Sequence, residues 1–242
     1  MKRAIGHLNG SRRRQAVASA LFLVLFLSCG PTVAADCDAL PDAGVDWQDC
    51  QKRIIMLPDS NLSSANLAGA DFTSTDLRNA NLQASNLQKA TLVRTSLSGA
   101  NAQGADFTRV EGYRTDFRGM NGKAALFTYA ELQRSDFTGA NLEGADFAKA
   151  ELGRAQFDNA AITGAKFSLA NLARADLRNA KFTGPLDFAK AFMFRTLIAG
   201  VDLSAATGLH QWQIDMACGD QKTKLPGGLK ASADWPCPDD DD

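Results

Sequence analysis

The chain has 242 residues, with 26 lysines and arginines against 27 aspartates and glutamates, and 45% of it is hydrophobic. That length suits one good-sized domain or two small ones. The apolar fraction excludes a disordered charged polymer.

The first 35 residues are a different material from the rest. Lys2, Arg3, Arg12, Arg13 and Arg14 form a basic head with no acid before Asp36, followed by the uncharged run "AVASALFLVLFLS" and then "PTVAAD". A basic head, a short apolar core and small Val33 and Ala35 before Asp36 predict a secretory signal over residues 1–35. The apolar run is short of the roughly 20 residues of a membrane span, so no stable span is expected after cleavage. A retained anchor and a lipidated Cys29 remain as rival readings of this end. "SRRRQAV" is also loosely similar to a twin-arginine signal. The expected location is exported: periplasmic in a Gram-negative cell, otherwise secreted.

Without residues 1–35 the chain keeps 21 basic and 27 acidic side chains, a net charge of −6. It also keeps four cysteines, Cys37, Cys50, Cys218 and Cys237. An even number in an exported chain predicts two disulfides. Of the three connectivities, the local one, Cys37 with Cys50 and Cys218 with Cys237, is preferred. Residues 36–54, with Pro and several Asp, read as an N-terminal disulfide cap with Trp47 as its plug.

From Leu57 to Phe182, counting by fives meets 26 consecutive central positions, of which 23 are Leu, Phe or Ile. The exceptions are Ala102, Gly112 and Gly122. From Leu62 onward the residue two before the centre is Ala, Ser or Thr in 23 of 25 cases, and the one before is most often Asn or Asp. One extra residue enters near Pro185, after which the series resumes at Phe188, Met193, Ile198 and Leu203. Neither the 3.6-residue period of a helix face nor the 2-residue period of a strand fits. Such internal self-similarity marks a solenoid.

The unit Ala-(Asn/Asp)-(Leu/Phe)-x-x resembles the pentapeptide-repeat family over residues 55–205. That resemblance implies an all-β, right-handed, four-sided parallel β-helix, with four pentapeptides per coil and the centre and the small residue pointing inward. Coil stacking then lets each side pair its backbone with the coil below. Where the centre shrinks to Gly112 and Gly122, the small partner grows to Val110 and Met120, the compensation a close-packed interior requires.

A 20-residue coil stacks residues 20 apart. Phe107, Phe127, Phe147, Phe167 and Phe188 become one interior column, and Phe117, Phe137 and Phe157 another. On the outside, Arg94, Arg114, Arg134, Arg154, Arg174 and Arg195 recur at one place in the unit. Unit charges about 4.8 Å apart repel by roughly 0.9 kcal/mol per pair in bulk water. Two readings follow. Glu111, Glu131, Glu151 and, on the next side, Asp116, Asp136 and Asp176 could neutralise the column as a solvated ladder; or the column is an interaction strip for an anionic partner.

Residues 206–242 read as a C-terminal cap. A helix is expected to start at Thr207, with Leu209, Trp212 and Met216 on one face and Gly219 at its stop. Asp239–Asp242 is an acidic tail. The cap is similar to those of exported family members, which implies a homodimer through it.

No Ser/His/Asp set, phosphate-cradling loop or metal-ligand cluster is recognisable, so neither catalysis nor a cofactor is expected. The family's best-known activity, gyrase or topoisomerase inhibition by an acidic rod that imitates DNA, is disfavoured by the export signal. Residues 52–205 also carry 18 basic and 15 acidic side chains, the wrong sign for a phosphate mimic. The expected function is an exported, non-enzymatic scaffold or binding module. Its partner is expected to be a protein or an anionic envelope component rather than nucleic acid, met through a side face.

Overall fold

The computed structural model describes residue 1 and residues 35–237. The segment expected to be a secretory signal, with its Cys29, and the tail Asp239–Asp242 lie outside the described residues. Within the compact unit Ala34–Asp242 the described residues form a right-handed parallel β-helix whose bridges run from Asp46 to Lys224. Its rungs are single parallel bridges between residues 20 apart, as in Asp71↔Thr91, Thr91↔Glu111, Glu111↔Glu131 and Glu131↔Glu151. One column runs from Asp46 through Asn66 to Thr207 over nine levels; eight steps of about 4.8 Å make a rod of about 38 Å.

Each five-residue side uses its backbone in the same way. In Ala90-Thr91-Leu92-Val93-Arg94, Leu92 N–H donates to Glu111 O at 2.7 Å and Arg94 N–H to Tyr113 O at 3.1 Å, both in the next coil. Thr95 N–H closes the corner on Leu92 O at 3.0 Å. The residue before that closure lies at positive φ, +56° for Arg94, the left-handed conformation a type II turn demands. The remaining N–H explains the Asn/Asp preference before the centre. Asp71 Oδ1 accepts Thr73 N–H at 2.9 Å, and Asp106 and Asp146 do the same for Thr108 and Ala148. A carboxylate or amide one carbon from the backbone reaches the amide two residues on. Hydroxyls at the small inward place meet carbonyls: Thr95 and Ser135 donate to Phe72 O and Gly112 O, both at 2.7 Å.

The centres fill the rod. The two phenylalanine columns stack in parallel within themselves, as in Phe117 on Phe137 at 4.7 Å, and meet edge to face across the axis, as in Phe127 against Phe137 at 5.9 Å. Both geometries suit the ring quadrupole. At Gly122 a β-carbon would lie 2.8 Å from Met120 Cε, so Met120 occupies the space the glycine leaves. At Gly112 the expected role of Val110 needs correction. The nearest side chain there is Leu132 of the next coil, at 2.7 Å from the β-carbon position, although Val110 is itself buried.

The ladder begins earlier than the count by fives suggests. Asp46 and Gln51 already pair with Asn66 and Asp71, so the coil extends into the segment read as an N-terminal cap. Trp47 and Lys52 hold the first two central places, and neither is the Leu or Phe the count looks for. Trp47 is buried, and Lys52 swings over it, with Nζ 3.7 Å from the ring centroid, to donate to Cys37 O at 2.7 Å. Desolvation lowers the Lys52 pKa, against the pull of Asp38 and Asp36. The preferred connectivity is the one present: Cys37 bonds Cys50 and Cys218 bonds Cys237.

At the other end the extra residue at 183–185 shifts the bridge spacing to 21, as in Lys166↔Asp187 and Asn171↔Phe192. The one helix among the described residues, α1, spans Gln211–Met216 with His210 at its N-cap, three residues later than the N-cap expected at Thr207. Gln213 Oε1 accepts His210 N–H at 2.8 Å, which fixes the start there. The helix buries Gln213 and Ile214; of the three residues expected on one face, Leu209 precedes the helix and packs partly buried against the core, Met216 is half-buried, and Trp212 is exposed. Gln213 is buried because it is an edge cap: its Nε2 donates at 3.0 Å to Ala191 O, a carbonyl left without a backbone donor from a next coil, and at 2.9 Å to Phe188 O, which also accepts Ala191 N–H. Gly219 is needed for close approach, since a β-carbon there would lie 2.5 Å from the Trp235 ring. Trp235 in turn donates to Ala217 O at 2.6 Å.

Candidate functional site

Six arginines of the expected strip stand at the same turn position. Arg94, Arg114, Arg134, Arg154, Arg174 and Arg195 all have φ between +52° and +60°. A left-handed L-residue costs roughly 1–2 kcal/mol where glycine costs little. Two of the four corner columns largely respect this: one holds Gly99, Gly119, Gly139, Asn159, Asn179 and Gly200, the other Gly104, Gly144, Gly164 and Gly184 with Ala124 as an exception. The arginine corner does not, nor does the corner before it, with Lys89, Arg109, Tyr129, Lys149, Leu169 and Lys190. These two corners bound one and the same side of the rod.

That side departs from the repeat at its bridging row as well. The row reads Thr91, Glu111, Glu131, Glu151, Asn171, Phe192, with a single Asn or Asp in six places; the other three sides have three or four at the same levels. Glutamate is too long for the bond to the amide two residues on. Among the described residues, Glu111, Glu131 and Glu151 make no such bond; Glu111 and Glu131 are exposed, and Glu151 Oε2 accepts from Asn171 Nδ2 of the next coil at 2.7 Å.

The result is a segregation of charge that net composition conceals. Between residues 89 and 195 this side and its corners carry ten Lys and Arg against three Glu, while the other three sides carry five against eight. Arg94, Arg114 and Arg134 are exposed, Arg154, Arg174 and Arg195 half-buried. The aspartates expected to neutralise the column are engaged elsewhere. Asp116 and Asp176 pair with Arg118 and Arg178 two residues on, at 2.8 and 2.7 Å, and Asp136 lies 3.8 Å from Arg118. Burial opposes the charged form of Asp116, yet hydrogen bonds from Arg118 hold its pKa below the usual range. Arg94, Arg114 and Arg134 have no carboxylate within 4.0 Å among the described residues. Arg114, Arg134 and Arg154 line an open groove of about 380 Å³ with Gln156.

Apolar exposure concentrates on the same side. Both tyrosines of the chain lie here, as do Phe192 and Phe194, the two phenylalanines of the solenoid that are not centres. Tyr129 is 47% exposed, Phe192 45% and Phe194 44%. Arg114 sits 5.2 Å from the Tyr113 ring centroid, and Arg109 and Lys149 flank Tyr129 at 5.4 and 4.6 Å. Lys149 Nζ donates to Tyr129 Oη at 2.5 Å, which lowers the phenol's pKa. Sequence inspection found the arginines but missed the aromatics and the second corner, which become one surface only when residues are sorted by side.

Among the described residues no group of three or more His, Cys, Asp or Glu could hold a metal ion, and no helix is long and apolar enough to cross a membrane.

A family model described as pentapeptide repeats matches eight copies between residues 57 and 184. No curated protein matches. Among solved structures, the chain is similar to HetL of the cyanobacterium Nostoc sp. strain PCC 7120, a pentapeptide repeat protein involved in heterocyst differentiation regulation. The two are 22% identical over 79% of this chain and 86% of HetL, with a TM-score of 0.35. It is similar to full-length QnrB1, a plasmid-mediated fluoroquinolone resistance protein, with 18% identity over 75% of this chain and 86% of QnrB1 and a TM-score of 0.39. A thylakoid-lumen pentapeptide repeat protein of Arabidopsis thaliana is 31% identical over 47% of this chain and 66% of its own, with a TM-score of 0.17.

Proposed function

The chain belongs to the pentapeptide-repeat family, and from that premise we propose that it is an exported, non-enzymatic binding module whose arginine-edged side engages an anionic partner. The observation that carries this reading is the ten-to-three excess of positive charge on one side of a chain whose residues 36–242 are net negative. A rod held by its interior can vary its outside, so the interior pattern does not itself call for a concentration of costly left-handed arginines on one corner. The two disulfides suit an oxidising compartment.

Retention on a sulfonate support at pH 7 tests the reading. A mature chain of net −6 with evenly spread charge flows through, whereas a segregated cationic side binds and elutes with salt. Arg134→Ala with Arg154→Ala is expected to elute earlier, and Arg118→Ala with Arg178→Ala on the neighbouring side to elute unchanged. Flow-through of the unmodified protein refutes it. Fractionation followed by N-terminal sequencing is expected to give an envelope or secreted protein beginning at Asp36. The exposed Trp212 on α1 offers the surface for a homodimer through the C-terminal cap, which light scattering checks.

A further inference from the structure

We infer that the partner of this side is a linear acidic polysaccharide, laid along the rod axis with its anionic groups on the arginine column and its hydroxyls on the glutamate row. The inference rests on the reading of the side as an anion-binding surface and adds the chemistry of the ligand.

Three features select this occupant. The cations repeat in a line at the coil spacing of about 4.8 Å, a match for a polymer that repeats its charge along an extended chain and a poor one for the irregular surface of a folded protein. Guanidinium groups hold carboxylates and sulfates through paired N–H donors. Between the two cationic corners stand Glu111, Glu131 and Glu151, which would repel a continuous plane of lipid phosphates or a bare polyanion. Opposite sugar hydroxyls the same carboxylates are acceptors for donors the ligand brings. Exposed aromatic rings are the third feature. Tyr113, 37% exposed, and Tyr129, 47% exposed, stand among the cations Arg114, Arg109 and Lys149, so their exposed ring atoms offer apolar contact beside charge to the C–H groups of a pyranose.

Binding of the protein, purified after expression of the full 242-residue chain, is measured by calorimetry in low salt against five probes at equal charge concentration. These are oligogalacturonate, neutral dextran, polyphosphate, poly-glutamate and phosphatidylglycerol vesicles. Oligogalacturonate is expected to bind at least about tenfold more tightly than any other probe, the margin of one well-made charge-assisted contact. Arg134→Ala with Arg154→Ala should weaken it by about tenfold or more, and Arg118→Ala with Arg178→Ala should leave it unchanged. Glu131→Gln separates hydroxyl recognition from bare charge: it should strengthen polyphosphate binding without strengthening oligogalacturonate binding. If polyphosphate, poly-glutamate or vesicles match oligogalacturonate while the double arginine variant still loses them, the anion-binding side stands and the polysaccharide is overturned. If no anionic probe binds, both are overturned.

Discussion

Replacing Met120 by alanine tests the packing logic of the whole rod, because the residue opposite it cannot respond. Met120 is fully buried, and its methyl occupies the place where Gly122 lacks a side chain, 2.8 Å from where a β-carbon would stand. Truncating a buried Met to Ala costs about 2–5 kcal/mol, with the higher values at sites that cannot collapse. Coils pinned above and below by bridges 20 residues apart resist collapse, so about 3–4 kcal/mol is expected, or a fall in Tm of about 6–16 °C for a chain of this size. Gly122→Ala alone pushes a methyl against the Met120 tip and to 3.1 Å from Leu142 Cδ2, at a cost of about 1–2 kcal/mol. Combined with Met120→Ala, the new methyl falls into vacated space, so the double variant should be no less stable than Met120→Ala alone. Thermal unfolding followed by circular dichroism, over the four proteins of this cycle, gives the coupling. A loss below about 1 kcal/mol for Met120→Ala, or simple addition of the two costs, refutes the compensation.

Arg134→Gly is expected to change stability by less than about 1 kcal/mol in either direction, because relief of the left-handed backbone offsets the lost chain restriction. A larger loss by chemical denaturation would make the arginine column structural. Gln213→Ala leaves the Ala191 carbonyl without its donor, while Phe188 O keeps Ala191 N–H at 2.9 Å, and should cost about 1–3 kcal/mol, with hydrogen exchange rising first in the last coil. Changing Cys218 and Cys237 to Ser opens a loop with a sequence separation of 19 and should cost about 3 kcal/mol, read as a fall in the denaturant midpoint together with a shift in Trp235 emission. At the C-terminal end, Lys224, Ser204 Oγ and Ser204 N–H together pull the Asp202 pKa down to about 2. A depressed carboxylate stabilises the fold above its unfolded pKa near 3.8 and loses that contribution as pH falls toward 2. Asp202→Asn should therefore lower stability at pH 5 and converge with the unmodified protein at pH 2.

The repeat was legible because each five-residue side must deliver one large group inward, and a period that regular survives any substitution outside. What escaped notice did so for local reasons. Trp47, expected as a plug, and Lys52 also continue the phase of five as centres but break its alphabet: at the first rungs a broad indole fills the centre and a cation ties Cys37 down. The helix was placed early because Thr207 has the look of an N-cap; in the fold it is a rung of the ladder, paired with Asp187, and so is not free to start α1. Gly112 was matched to Val110 within its own unit, yet the space it leaves is filled along the axis by Leu132. A one-dimensional pattern carries neighbours along the chain more readily than neighbours one coil away.

The side bounded by Lys89 and Arg94 brings two departures from the repeat together. Its corners forgo Gly and Asn where the backbone is left-handed, and its bridging row forgoes the Asn or Asp that would satisfy the next free amide. Either departure alone could be drift, since Leu126 and Lys166 break the bridging rule on another side and Ala124 stands at another corner. Their coincidence over five to six consecutive coils is harder to attribute to drift, because the other sides of the same rod tolerate substitutions under the same interior constraint. Local rules in a folded chain tend to fail where something other than folding sets the residue. Here the residues that override the rules are arginine, glutamate and tyrosine, the side chains that meet a charged, hydroxylated ligand, and they recur at the spacing of the coil itself.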